Sequence, residues 1–253
     1  MIVSVDAAVD FTALLEDQIP VNPFACRISS LFRSYAPTYP FVDYWLQTSD
    51  DGIVTGAIAR YGADYIVSLT EDSDNGEVSS FLEMAGASSV LCSDKTLSLE
   101  LPMQSGWILT RRLPFAEEKQ RFVSPDLREA FALLQSCAEK DFQPPSFADF
   151  YVDVSHKARH GCIRLCGITH GERLAAMAMT VAESPSCAVI GAVACHPAWR
   201  GNGYGSAVVR QLVNELTTQG KQVFLHRAQD KNEQFYGSLG FTTWGRWREY
   251  RRE

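Results

Sequence analysis

The 253-residue sequence lacks the features of a membrane or a secreted protein. It has no apolar run close to the roughly 20 residues that a membrane-spanning helix needs. Its N-terminal segment carries acidic side chains and no basic stretch, so we expect no secretory signal. Its seven cysteines are odd in number and irregularly spaced, which favours reduced thiols over a disulfide framework. We therefore expect a cytoplasmic protein.

Basic residues are scarce in the first part of the chain. Residues 1–110 hold 4 lysines and arginines against 15 aspartates and glutamates, whereas residues 111–253 hold 19 against 15. The overall net charge of −7 argues against a nucleic-acid partner. The uneven distribution suits a polyanionic cofactor in the C-terminal part and a cationic substrate drawn toward the N-terminal part. Ordinary solubilising charge explains the same difference equally well.

Three glycines and an arginine stand together in RGNGYG, residues 200–205. The preceding residues 186–195 form an apolar run rich in Val, Ile and Ala, which predicts a buried strand. The following residues predict a helix that ends near Gly220 and buries Val208, Val209, Leu212, Val213 and Leu216. A glycine-rich turn between a strand and a helix exposes backbone N–H groups at the positive end of the helix dipole. This segment therefore predicts an anion-binding site.

Two common phosphate-binding motifs do not fit this segment. A dinucleotide-binding motif has the register G-x-G-x-x-G early in a βαβ unit, whereas this register is R-x-x-G-x-G near the end of the chain. A Walker loop needs a lysine before its Ser or Thr, but Gly205 is followed directly by Ser206. A tight turn that only allows close helix packing is the structural alternative.

A second motif follows in NEQFYGSLGF, residues 232–241, after a run at residues 221–228 that predicts a strand. Together the two motifs resemble the GNAT superfamily of N-acetyltransferases. Arg200, Gly203 and Gly205 match its pyrophosphate-binding pattern Q/R-x-x-G-x-G/A. Tyr236 stands where that family has a tyrosine, although a core tyrosine on an amphipathic helix is the alternative.

The resemblance implies an α+β fold, with a mostly antiparallel central sheet flanked by helices, and acetyl transfer from acetyl-CoA to a primary amine. Tyr236 would be the catalytic acid that protonates the departing thiolate. Acetyl-CoA, the acyl donor substrate, would be bound by Val193, Ala194, Cys195, Arg200, Gly201, Asn202, Gly203, Tyr204, Gly205, Ser206, Gln229 and Asn232. The alternatives are a catalytically silent module that binds or senses acyl-CoA and a purely structural interaction protein.

The order of predicted strands and helices occurs twice, which predicts two tandem GNAT-like domains at residues 1–115 and 116–253. The first copy has DSDNGEVSSF, residues 72–81, where the second has its glycine-rich turn. This acidic stretch has one glycine and no arginine, so we expect no CoA binding there. The copies join within residues 109–125, and a helix follows with Ser124 predicted as its N-cap and Pro125 at its first position.

The general base and the acceptor are not identified by the sequence. Glu183, His196 and His226 are candidate bases, each expected more often in a structural or exposed role, and a water chain would also serve. The acceptor would be a small-molecule or peptide amine. A monomer and a homodimer are both compatible with the sequence.

Four residues of zinc-ligand type lie close together in the sequence, at His156, His160, Cys162 and Cys166. Their spacing matches no common zinc module. The two cysteines alternate as they would on a half-buried strand, where cysteine packs as a small apolar residue. We therefore expect no metal site.

Overall fold

A computed structural model describes residues 1–6, 9–94, 97–116, 120–140, 142–229 and 231–252. The elements up to residue 111, which we call the N-terminal half, are β1 (Ile2–Ser4), α1 (Phe11–Gln18), α2 (Pro23–Ser34), β2 (Val42–Thr48), β3 (Val54–Tyr61), β4 (Asp64–Leu69), α3 (Asn75–Met84), β5 (Ser89–Ser93) and β6 (Met103–Arg111). The C-terminal half contains α4 (Leu127–Ser136), α5 (Phe147–Arg159), β7 (Leu165–His170), β8 (Arg173–Glu183), β9 (Cys187–Cys195), α6 (Tyr204–Thr218), β10 (Gln222–Ala228), α7 (Glu233–Ser238) and β11 (Thr242–Arg251).

The strands of both halves form one continuous sheet. Its order is β1-β2-β3-β4-β5-β11-β6-β10-β9-β8-β7. The pairs β4–β5 and β9–β10 are parallel and the other described ladders are antiparallel, which confirms the expected mostly antiparallel sheet. The two halves therefore repeat one topology, with β2–β5 in the first corresponding to β7–β10 in the second.

The last strand of each half lies beside the other half. Strand β6 pairs with β10, and β11 pairs with β5. The exchanged strands also pair with each other over most of their length, from Thr242 opposite Thr110 to Tyr250 opposite Met103. The two halves thus share a single sheet, because the backbone hydrogen bonds of each terminal strand are satisfied by both halves.

The predicted segments around the glycine-rich turn are confirmed. Residues 187–195 and 222–228 are strands, and α6 ends two residues before Gly220, which has φ +77°. The apolar face of α6 is fully buried against strands β7–β10, as expected from its period. Helices α4 and α5 cover the opposite face of the C-terminal half. Helix α6 therefore lies on one face of the sheet, and helices α4 and α5 lie on the other.

Helix α2 connects the two cores. Phe24 and Cys26 pack with Val189 of β9 and Phe224 of β10, although α2 belongs to the N-terminal half. Ile28 of the same helix packs into the core formed with β2 and β3. The N-terminal half thus contributes directly to the packing beneath the C-terminal strands.

The segment that joins the two halves holds one correction. The N-cap of α4 is Asp126, whose carboxylate accepts from the N–H groups of Arg128 and Glu129 at 2.8 and 3.1 Å, so the predicted Ser124 cap is wrong. Asp126 is the cap because its carboxylate accepts from two backbone N–H groups that have no partner within the helix. Residues 117–119 of the joining segment lie outside the described residues. The boundary at residues 115 and 116 stays a prediction.

Candidate functional site

The cleft at the carboxyl ends of β9 and β10 is formed because these parallel strands separate. They pair only from Cys187 to Ile190 and from Gln222 to Leu225. The rest of β9 keeps β8 as its neighbour, with a register shift between Met177 and Met179. Ala192 lies at this irregularity and has φ +45°, an unusual value for a residue with a side chain. Beyond Ile190, the side of β9 that faces away from β8 pairs with no strand among the described residues, so its backbone groups there border the cleft.

The glycine-rich turn closes one end of this cleft. Gly201 and Gly203 have φ values of +83° and +81°, which favour glycine. Gly203 is the N-cap of α6, and no side chain caps the helix there. A Cβ atom added to Gly203 would meet no atom within 4 Å, so the turn borders open space. The start of α6 therefore has no side-chain cap and faces open space, an arrangement that suits an anion.

Ten of the thirteen predicted site residues line one cavity of about 450 Å³. They are Val193, Cys195, Arg200, Gly201, Gly203, Tyr204, Gly205, Ser206, Asn232 and Tyr236. They come from the end of β9, the turn, the first turn of α6 and the start of α7. We call this cavity the transfer cleft.

Three predicted residues lie elsewhere. The side chain of Ala194 is buried in the core on the α4 and α5 side of the sheet. Asn202 donates from its amide to the carbonyl of Trp199 at 3.1 Å, so it shapes the turn rather than the cavity. Gln229 is exposed, and its side-chain oxygen accepts from Arg246 at 3.4 Å. None of these three side chains lines the transfer cleft.

Tyr236 reaches the transfer cleft from α7. Its ring packs edge to face on Phe235 and Phe241, with centroids 4.9 and 5.9 Å away. Burial raises the pKa of its phenol to about 12, so the hydroxyl stays protonated at neutral pH. Its hydroxyl has no hydrogen-bond partner among the described residues, which leaves its proton free for a group bound in the cleft.

Phe235 also lines the transfer cleft, but the sequence motif did not identify it. A Cβ atom added to Gly205 would stand 3.8 Å from the Phe235 ring, which is ordinary van der Waals contact. The available signal was its place in the NEQFYGSLGF motif, directly before Tyr236.

Arg200 supplies the positive charge of the turn. Its side chain is 51% exposed, lies 3.5 Å from Glu139 and donates from Nε to the carbonyl of Cys195 at 3.4 Å. The neighbouring Cys195 thiol has a raised pKa, chiefly because it is partly buried, so it remains neutral. The turn therefore has one half-exposed guanidinium beside a neutral thiol.

None of the candidate bases lines the transfer cleft. Glu183 lies at the opposite end of β8, where Arg164 and Lys221 bind its carboxylate. His226 is buried between Phe24 and Trp247, and burial together with the charge of Arg27 lowers its pKa well below the usual range. His196 follows β9 directly, but its Nδ1 accepts from the N–H of Ala198 at 3.2 Å.

The corresponding place in the N-terminal half has the opposite chemistry. Asp74 caps α3 by accepting from the N–H of Glu77 at 2.9 Å. Glu77 in turn lies 3.2 Å from the N-terminal amine and accepts from Gln47 at 2.7 Å. Carboxylates therefore occupy the start of α3, where the C-terminal half leaves N–H groups open.

The four residues of zinc-ligand type do not converge. His156 contacts the carbonyl of Ser34 at 2.7 Å and stacks on Tyr35, while the Cys162 and Cys166 side chains are buried among apolar residues. Within the described residues, no three His, Cys, Asp or Glu side chains form a group that could hold a metal ion. The same part of the chain has no helix of the length and apolar content that crossing a membrane requires.

Comparison with known proteins adds a family match over the cleft. Residues 165–252 match the model of the family described as FR47-like protein, a segment that runs from β7 to β11 and contains every residue of the transfer cleft. This segment is about a third of the chain. No curated protein matches the chain in sequence.

Solved structures match the whole chain. A tandem GNAT protein from the clavulanic acid biosynthesis pathway is 15% identical, with a TM-score of 0.57 over 99% of this chain and 97% of its own. A GCN5-related N-acetyltransferase from Sphaerobacter thermophilus is 15% identical, with a TM-score of 0.61 over 100% and 95%. A GNAT-family acetyltransferase from Colwellia psychrerythraea is 12% identical, with a TM-score of 0.58 over the full length of both.

This chain has a tandem GNAT fold. The resemblance to the GNAT superfamily that two short motifs indicated is confirmed, and it extends to the N-terminal half, which lacks both motifs. At these identities the match establishes the fold of the chain.

Proposed function

We propose that this GNAT-fold protein transfers an acetyl group from acetyl-CoA to a primary amine by direct attack of the amine on the thioester. The observation that carries the proposal is the convergence of the uncapped start of α6, the glycine-rich turn and the free Tyr236 hydroxyl on one cavity. The cavity thus offers backbone groups that suit an anion and a thioester, and a hydroxyl that suits a departing thiolate.

The turn suits the pyrophosphate of acetyl-CoA. Two glycines with positive φ leave open space in front of the backbone, and the dipole of α6 favours negative charge at this end. Arg200 is exposed beside them and can approach a phosphate. Holding the donor by its pyrophosphate fixes the thioester near β9, where correct orientation contributes several kcal/mol to the rate.

The open edge of β9 suits the transition state. Attack by the amine places negative charge on the thioester oxygen, and backbone N–H groups between Val193 and Cys195 can donate to it. The C–N bond forms first and gives a tetrahedral intermediate, whose collapse restores the C=O bond and breaks the C–S bond. Tyr236 then gives its proton to the departing thiolate and is reprotonated from water. Since no candidate base lines the transfer cleft, we propose that water removes the proton from the attacking amine.

The acceptor is proposed to be a small-molecule or peptide amine, of cationic character, that approaches past the acidic N-terminal half. The charges of residues 1–110 support this part of the proposal, since acidic walls concentrate cations. All seven cysteines are free thiols, which suits a reducing, cytoplasmic setting. The N-terminal half itself is proposed to bind no CoA, because Asp74 and Glu77 occupy the start of α3.

The test is to incubate the protein with acetyl-CoA and a panel of primary amines, and to detect acetylated amine and free CoA by mass spectrometry. We expect equal amounts of both products, formed only with the protein present. Saturable binding of acetyl-CoA without either product would show a binding module instead. Absence of both binding and products would reject the proposal as a whole.

A further inference from the structure

A second cavity, of about 220 Å³, lies between α2 and the sheet, where the two halves meet. Its charged lining residues are Arg27 of α2, Asp64 of β4, Lys157 of α5, and Glu249 and Arg251 of β11. It shares no lining residue with the transfer cleft. We call it the α2 cavity. Its volume is below the ~300 Å³ at which drug-sized sites begin, so it suits a small ligand.

Arg27 is the unusual residue of the α2 cavity. Its guanidinium makes no hydrogen bond and no ion pair within 4.0 Å with any described residue, and its Nε is fully buried without a partner. The other two cations of the cavity are paired, because Lys157 lies 2.8 Å from Asp153 and Arg251 lies 2.9 Å from Glu249.

A guanidinium whose Nε is buried without a partner is energetically costly. Buried charges in folded proteins are normally paired and hydrogen-bonded, because desolvation costs several kcal/mol that only a partner recovers. Burial is the main cause that lowers the pKa of Arg27. A ligand that brings its own negative group would supply the missing partner. The planar fork of a guanidinium matches a carboxylate with two parallel hydrogen bonds.

The remaining charges restrict the ligand further. Asp64 and Glu249 line the same cavity, so a polyanion such as a nucleotide would meet two carboxylates there. Asp64 would attract an ammonium group, and Glu249, which Arg251 already pairs at 2.9 Å, adds negative charge to the same cavity. A ligand that carries one carboxylate and one ammonium group suits Arg27 and Asp64 together.

We propose that the α2 cavity binds a small α-amino acid, with Arg27 holding its carboxylate and Asp64 binding its ammonium group. This site is separate from the transfer cleft, and its occupation does not depend on acetyl transfer. Its lining comes from both halves, so a bound amino acid would also join them.

The test uses the full chain without acetyl-CoA. Each of the twenty L-amino acids is screened for a rise in melting temperature, and the strongest is measured by titration calorimetry. Two fragments of that amino acid are measured beside it. One is the amine without the carboxylate, and the other is the carboxylic acid without the amine. We expect saturable binding of at least one amino acid, and at least tenfold weaker binding of both fragments. No binding among the twenty, or equal binding by either fragment, would overturn the proposal.

The matched variants are Arg27→Met and Arg33→Met on the same helix. Arg27→Met should weaken binding of the amino acid at least tenfold. Its ligand-free melting temperature should be unchanged or higher, since the substitution removes a charge that has no protein partner. Arg33 donates to the carbonyl of Glu183 at 3.1 Å outside the α2 cavity, so Arg33→Met should keep ligand binding. A lower ligand-free melting temperature for Arg27→Met with unchanged amino acid affinity would assign Arg27 a purely structural role. Because no step involves acetyl-CoA, failure of this proposal leaves the acetyl-transfer proposal untouched.

Discussion

Tyr236 combines buried packing with a free hydroxyl, so its two contributions can be separated. In Tyr236→Phe the ring still packs on Phe235 and Phe241, while the proton donor is lost. We expect turnover to fall roughly 100-fold, with acetyl-CoA affinity and stability unchanged. Steady-state kinetics, calorimetry and thermal unfolding measure the three quantities.

The control is Tyr250→Phe. The Tyr250 hydroxyl donates to the carbonyl of Leu97 at 2.8 Å in the N-terminal half, far from the transfer cleft in the sheet order. This variant should lose about 1 kcal/mol of stability and keep its turnover. Similar turnover losses in both variants would mean that the effect of Tyr236→Phe is not specific to the cleft.

Glu183 holds a buried ion cluster rather than a catalytic site. Its carboxylate, 1% exposed, accepts from Arg164 at 2.7 Å and from Lys221 at 2.8 Å. Glu183→Gln would leave two cations without this anion, so we expect a loss of about 3 kcal/mol in the free energy of unfolding, measured in urea. Glu215→Gln is the control, because Glu215 is 40% exposed and 4.0 Å from Arg164. It should change stability by less than about 0.5 kcal/mol.

The same carboxylate predicts a dependence on pH. Burial alone would raise the pKa of Glu183, but hydrogen bonds from Arg164 and Lys221 outweigh it and lower the pKa. A lowered pKa stabilises the fold above the unfolded value of about 4.3, and this contribution is lost as pH falls through the folded value. The difference in the free energy of unfolding between Glu183→Gln and the original protein should therefore be largest near pH 7 and shrink below about pH 4.

At the scale of single elements, the start of α6 decides anion binding. Gly203→Ala places a methyl group in the open space before the helix and strains a residue with φ +81°. Gly171→Ala in the β7–β8 turn introduces similar strain at φ +61°, also with open space around it. Each substitution should cost about 1 kcal/mol of stability. Only Gly203→Ala should also weaken acetyl-CoA binding at least tenfold, as measured by calorimetry. Equal affinities in both variants would exclude the turn from the binding site.

Local sequence determines these elements well. The strand at 187–195, α6 and the strand at 222–228 were predictable because each is an apolar run with a clear period between turn residues. The cap of α4 was missed because Ser124 and Asp126 both suit a helix start, and only the bonds of Asp126 decide between them. Ala194 was placed in the site because adjacent strand residues were grouped together, although they face opposite sides of the sheet.

At the scale of the whole molecule, sequence analysis could not give the strand exchange. The period of Thr242–Arg251 indicates a strand, but its neighbours β5 and β6 are more than 130 residues away. The repeated order of strands and helices predicted two similar halves, but nothing local distinguishes strand pairing within a half from strand pairing across the halves. The α2 cavity escaped prediction for the same reason, because its lining residues come from both halves.

The exchanged strands predict that both halves unfold together. Unfolding either half would remove the pairing partners of β6 or β11 and expose the core that α2 shares with β9 and β10. Hydrogen exchange followed in urea should give the same midpoint for peptides from β3 and from β8. A lower midpoint for β3, with β8 still protected, would show two independent units.

The acidic N-terminal half predicts a salt effect on the proposed reaction. Attraction between exposed charges is screened beyond about 8 Å at physiological ionic strength. The kcat/KM of a cationic amine should therefore fall as salt is added, whereas that of a neutral-chain amine of similar size should change less. Parallel salt curves for the two amines would show that residues 1–110 do not steer the acceptor.

The exchanged strands also bear on how such a chain can evolve. Two copies of one domain that traded their last strands would form a dimer, and the linker after β6 makes that dimer a single chain. Joining the copies removes the need for them to meet in solution, since each stays at a high effective concentration for the other. One copy can then lose its ligand site at no cost to assembly, because its strands are still required to complete the sheet of the other. The carboxylates of Asp74 and Glu77 at the start of α3 are compatible with such a division of roles, because the strands around them still pair across the halves.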